Sequence, residues 1–309
     1  MSVPGVHLKA GCYRSWINKF SAVLLSFVFL FLITGTTYAT ELTIGIIPEH
    51  NVFEQIKKYN LIGDYIKGKT GIIIKFSFLS KYGNIIESFE TEKMDGAFWG
   101  SFTGAMAIKK LDIELIARPD KFKDTSKHQG YIFVHKYSII RNPSDMEGMV
   151  VAFVDKATIA GYLFPAAYFK KAGIRDINKY FKKYYFTGSH QEAIYAVLNK
   201  EANIGCASKI IFDSLAAKDP RVKDELIVIA KSPDLPTNVL GLKNGMPFAI
   251  KEQLKRVLLG MDKDPKGLKI LEEFGVERFI EAGEGDYAPV FGIAREAGLE
   301  LKDYEYTYK

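Results

Sequence analysis

Beyond residue 40 the chain alternates two hydrophobic patterns. Short apolar runs read as strands, and longer stretches with apolar residues at helical spacing read as helices. Strands are predicted over 42–47, 72–79, 95–100, 114–117, 130–135, 150–154, 183–186, 204–207, 226–230 and 237–242. Helices are predicted over 51–67, from 82, over 101–111, from 158, and over 189–199, 250–260, 267–274 and 287–297. Asn51 with Glu54 three residues on forms a capping-box pattern for the first helix, and Ser101 stands at the start of the third. Strands alternating with helices imply α/β lobes with mostly parallel sheets. In such sheets a ligand sits beyond the carboxyl ends of the strands.

The stretch 150–165 shows the pattern at its plainest. Val150-Val151-Ala152-Phe153-Val154 is a continuous apolar run, as a strand buried on both faces requires. A short turn follows, and from Thr158 onward Tyr162, Leu163, Pro165, Ala166 and Phe169 recur at helical spacing. Thr158 stands where a helix N-cap is wanted. A strand running into a helix start offers free N–H groups and the positive dipole end to an anion. Read alone, it is equally an ordinary β–α turn with a threonine cap.

The first residues change the picture. Lys9, Arg14 and Lys19 precede the apolar run 21–34, and Thr37-Tyr38-Ala39 places small residues at a cleavage position. This order predicts a secretory signal peptide over 1–39, cut after about Ala39, and hence a periplasmic protein; an uncleaved anchor is the alternative. The chain has 309 residues, enough for two lobes, and half of its formal charge of +6 belongs to the leader. The remaining excess is too small to imply nucleic acid or a membrane surface as partner. Of the 2 cysteines, Cys12 falls in the leader and Cys206 is left alone, so no internal disulfide holds the exported fold.

Catalytic and cofactor motifs do not emerge. There is no G-x-S-x-G, no phosphate-binding loop with lysine and no H-E-x-x-H, and Ser189 and His190 are neighbours on one turn rather than members of a triad. A binding protein without cofactor or metal is therefore expected, rather than an enzyme.

Several segments, in order, carry a resemblance: Ser80-Lys81-Tyr82-Gly83-Asn84-Ile85-Ile86, Met94-Asp95-Gly96-Ala97-Phe98-Trp99-Gly100, Asp155 through Pro165, Phe186-Thr187-Gly188-Ser189-His190-Gln191-Glu192-Ala193 and Lys231-Ser232-Pro233-Asp234-Leu235-Pro236. Together they resemble the periplasmic phosphonate/phosphite/phosphate-binding proteins of ABC transporters, over nearly all of the chain after the leader. The resemblance implies a type II periplasmic binding fold: two α/β lobes with the ligand in the cleft between them. It places lobe one at 41–137 plus 243–309 and lobe two at 138–242, with crossovers near His135 and Leu240. It implies ligand contacts from Tyr82, Tyr131, Thr158, Ile159, His190 and Asn238. Tyrosine, threonine and histidine can each donate to an oxyanion. Taken singly, Tyr82 is also a helix-start aromatic, Tyr131 a strand residue and His190 a polar first-turn residue.

The departures bear on the ligand. Phosphonate binders of this kind show Ser-Thr-Ser where this chain has Thr158-Ile159-Ala160, and an Asp where it has Asn238. The Glu that takes an aminoalkyl group falls on Ile210, which disfavours an ammonium-bearing ligand. The expected function is capture of a small phosphorus oxyanion by a monomer that hands it to an ABC transporter permease in the inner membrane. The other class consistent with these residues is a periplasmic sensory subunit partnering a membrane kinase.

Overall fold

The computed structural model describes residues 1–2, 39–48, 52–81, 84–120 and 128–305. The predicted signal peptide, bar its ends, and Tyr82 and Asn51 lie outside the described residues. No helix among the described residues is long and apolar enough to cross a membrane.

Thr40–Lys309 forms one unit built on two sheets. The strands of the first are β1 (Glu41–Ile46), β2 (Ile73–Phe78), β3 (Gly96–Trp99) and β4 (Ile113–Asp120), joined later by β10 (Val239–Lys243) and β11 (Arg278–Glu281). Their order across the sheet is β11-β4-β10-β3-β1-β2. The second holds β5 (Gly130–His135), β6 (Val150–Phe153), β7 (Lys183–Phe186), β8 (Ile204–Ser208) and β9 (Leu226–Lys231), in the order β7-β6-β8-β5-β9. The inner strands β3 and β8 are buried along their whole length, as continuous apolar runs between two helical layers must be.

Three sequence expectations are corrected. The sheets are mixed, not mostly parallel. Strand β10 runs antiparallel to β3 and β4, β11 antiparallel to β4, and β5 antiparallel to β8 and β9. Second, β5, assigned to lobe one, pairs only within the five-stranded sheet, while most of β10, assigned to lobe two, pairs within the six-stranded one. The chain therefore changes sheets after Asp120 and before Gly130, and again between Lys231 and Val239, rather than near His135 and Leu240. Third, the closing helix Ala288–Ala297 shares a buried apolar cluster with Phe153, Leu163 and Phe169 of the second sheet, as well as with Trp99 and Phe102 of the first. Tyr304 extends this strap: its hydroxyl donates to the Lys156 carbonyl at 3.1 Å and its ring stands 5.4 Å from that of Phe102.

Residues on both described flanks of the first sheet change are bonded to the second connection. The Leu235 N–H donates to the His128 carbonyl at 2.7 Å, and the Thr237 hydroxyl donates to the Pro119 carbonyl at 3.0 Å. The carboxyl ends of β1, β3, β6, β7 and β8 each lead to a helix that starts beside this crossing.

Candidate functional site

A cavity of about 150 Å3 lies where those strand ends meet. Residues of both sheets' helices line it, as do Pro119, His128, Thr237 and Asn238 of the crossover segments. Its floor consists of helix beginnings. Gly100 to Thr103 open the helix Ser101–Lys110. Thr158 to Ala160 open a π-helical turn, Ile159–Leu163, that continues as the helix Phe164–Lys171. His190 opens His190–Leu198, and Ser208 precedes Lys209–Lys218. At three of these four starts no side chain caps the first turn. The Gly100 N–H is taken by the Thr103 hydroxyl at 2.9 Å and the Lys209 N–H by the Gln129 carbonyl at 2.8 Å, so the turn at 159–161 is the start whose N–H groups and positive dipole end are left to the cavity, an arrangement suited to an anion.

Local bonding explains why the caps are missing. Thr158 was expected to accept from a first-turn N–H. Instead its hydroxyl donates to the Asp155 carbonyl at 2.7 Å, because Asp155 folds the preceding turn by accepting the Ala157 N–H at 2.7 Å. Ser101 is not the cap of its helix either. Gly100 holds that position, and the Ser101 hydroxyl donates to the Pro236 carbonyl at 2.6 Å. A Cβ at Gly100 would stand 2.8 Å from Ile47 Cδ1, so a larger residue there would have to displace the end of that side chain.

His190 is held in one tautomer. The Ser208 backbone N–H donates to its Nδ1 at 3.1 Å, so the proton of the neutral ring sits on Nε2. The half-buried imidazole is therefore a donor on its other edge. Ser208 also bridges to His128, with Oγ and Nδ1 3.4 Å apart. Gln55 lines the cavity with its amide nitrogen given to the Ile47 carbonyl at 2.9 Å. Lys58 follows one turn along the same helix face. Among the described residues lining the cavity there is no Asp and no Glu. The lining also includes an aromatic wall, where the Tyr59 ring lies 5.0 Å from Phe98 and 5.3 Å from Phe274.

Of the residues expected from the sequence, Thr158, Ile159, His190 and Asn238 line this one cavity, together with Ala160 and Ile210. Tyr131 does not. It is 6% exposed in a core cluster with Phe133, and both rings pack on Phe212, at 5.7 and 5.2 Å. Tyr131 and Phe133 are two apart on β5 and so share the face turned to that helix. Burial, and secondarily Asp213, raises the Tyr131 pKa. Sequence reasoning passed over Gln55, Lys58, Ser101, Thr103, His128 and Ser208. The one signal for the first two was a polar pair at i and i+3 on a helix face that otherwise buries Tyr59 and Ile62.

Two sheets meeting at such a cavity, with strand carboxyl ends and helix starts from both, define a two-lobed solute-binding protein. Over residues 44–287 the chain matches the family described as the ABC transporter, phosphonate, periplasmic substrate-binding protein, and it belongs to that family. It is 24% identical over 264 residues to a probable ABC transporter phosphite binding protein of Prochlorococcus marinus, covering 82% of this chain and 89% of the relative. It is 23% identical over 231 residues to the phosphonates-binding periplasmic protein of Escherichia coli, covering 73% and 68%. The solved structure of PhnD1 from Prochlorococcus marinus in complex with methylphosphonate has the same fold. Its TM-score is 0.72 at 20% identity, covering 84% of this chain and 99% of that one.

Proposed function

We propose that this protein captures a small phosphorus oxyanion (a phosphonate, phosphite or phosphate) and delivers it to an ABC transporter permease. One observation carries the reading: an uncapped helix start, a histidine fixed as an Nε2–H donor and no carboxylate share one cavity. The N–H groups of residues 159–161, the His190 ring and the Asn238 amide are the donors assigned to the anion, while the Thr158 hydroxyl, given to the Asp155 carbonyl, holds the turn that presents them. The donors approach from both sheets, so binding draws the lobes together by hinge closure at the two connections. The protein acts by binding alone, as a periplasmic monomer released from its signal peptide after about Ala39. The named relatives favour transport over the sensory alternative.

A thermal-shift screen of phosphate, phosphite, methylphosphonate, sulfate and small carboxylic acids tests the ligand class. A ligand at 100 times its Kd adds about 2.7 kcal/mol to the folded state. Stabilisation by a phosphorus oxyanion is expected, and a response confined to the carboxylic acids would overturn the reading. Amino-terminal sequencing of protein from the periplasm tests the cleavage, which an intact Met1 would refute.

A further inference from the structure

The N–H groups of the turn at 159–161, the His190 ring and the Asn238 amide meet one oxyanion with neutral donors, which leaves a formal charge unused. Lys58 is the only lysine or arginine among the described residues lining the cavity. It is half-buried, and no carboxylate lies within ion-pair distance among the described residues. Other covered lysines are matched: Lys209 with Asp213 at 2.6 Å, Lys251 with Glu114 and Lys255 with Glu281. A partly buried charge without a counter-ion is costly, and the cost is relieved if a ligand brings the opposite charge. Lys58 shares a helix face with Gln55, and it lines the same cavity as Tyr59 of the aromatic wall. There is also room. A water needs about 10–15 Å3 of such volume, so about 150 Å3 exceeds what a bare tetrahedral oxyanion occupies.

We infer that the ligand carries a second acidic group beside its phosphoryl group, and that Lys58 is the residue that selects it. The class is an organophosphonate with a carboxylate a carbon or two away, as in phosphonoacetate. Ile210 and the absence of lining carboxylates leave nothing to match an ammonium, which Lys58 would also repel. This inference rests on the cavity being a phosphorus-oxyanion site.

Calorimetric titration separates the two. The probes are methylphosphonate, phosphonoacetate and isobutylphosphonate, the last having methyl groups in place of the carboxylate oxygens. The wild type is expected to bind phosphonoacetate about tenfold or more tightly over isobutylphosphonate, the usual worth of a charged hydrogen bond. Lys58→Met should abolish that preference while leaving isobutylphosphonate affinity in place, and Lys58→Arg should keep it. Equal affinities in the wild type, a preference that survives Lys58→Met, or an equal loss for all three probes would overturn the role of Lys58 while the oxyanion site stands. Failure of all three to bind would overturn both.

Discussion

The Ser208 backbone N–H donates to His190 Nδ1 at 3.1 Å, tying the start of one helix to the start of another. The bond orients a neutral imidazole so that its remaining proton is on Nε2, on the edge a bound anion would use. His190→Ala removes that donor. Affinity for every oxyanion should fall by about 1.5–3 kcal/mol, the usual value of a hydrogen bond to a charged group. Calorimetric titration with methylphosphonate measures it, and an unchanged Kd would remove His190 from the site.

Asn238 stands just past Pro236, whose carbonyl holds the Ser101 hydroxyl. Its uncharged amide does not repel a fully ionised ligand. Asn238→Asp should therefore favour a mono-protonated ligand and weaken binding above the ligand's second pKa. Like charges in a partly buried site cost of order a few kcal/mol. Titrations at about pH 6, close to a phosphate-like second pKa near 6, and at about pH 8.5, well above it, should diverge for the variant and stay closer for the wild type. Identical behaviour of the variant at both values would show that Asn238 does not touch the ligand.

Gly161 lets the turn at 159–163 lie against β6. A Cβ there would stand 2.4 Å from Val154 Cβ and 2.7 Å from Thr158 Oγ1. Gly161→Ala should cost about 1–3 kcal/mol of stability by overpacking. It should also weaken oxyanion binding, because the N–H groups at the helix start are displaced. Thermal unfolding and titration of the same variant check both, and an unaltered Tm would refute the crowding.

Asp264 sets a pH dependence remote from the cavity. It pairs with Lys69, accepts the Lys266 N–H at 2.9 Å as helix cap and accepts the Tyr65 hydroxyl at 3.0 Å. The Lys69 contact is the main reason its pKa falls from 3.8 to about 2. A carboxylate with a depressed folded pKa stabilises fully above its unfolded pKa and loses that contribution as pH falls through the folded one. Asp264→Asn should thus lower Tm by a constant amount at neutral pH, with the gap to wild type closing between about pH 4 and pH 2. A gap independent of pH down to about 2 would contradict this.

Much of the architecture was legible because it rests on local patterning. The strand at Lys183–Phe186 coincides with its predicted span, and the helices Ser101–Lys110, His190–Leu198 and Ala288–Ala297 fall within a residue of theirs. The helix Lys209–Lys218 was missed, since its apolar residues Ile210, Ile211, Phe212 and Leu215 directly continue the run of β8 without a turn signal.

The sequence by itself determined the α/β alternation, the helix starts behind strands, and Thr158, His190 and Asn238 as candidates, because these depend on short spacings and ordered motifs. Only the tertiary structure decided which strands share a sheet. Pairing of β5 with β8 and β9, and of β10 with β3 and β4, is a long-range choice that leaves no local trace. It likewise buried Tyr131 against Phe212 while bringing Lys58, His128 and Ser208 to the cavity. Which face of a strand meets a helix, and which helix face meets a cleft, is fixed by packing between segments far apart in the chain.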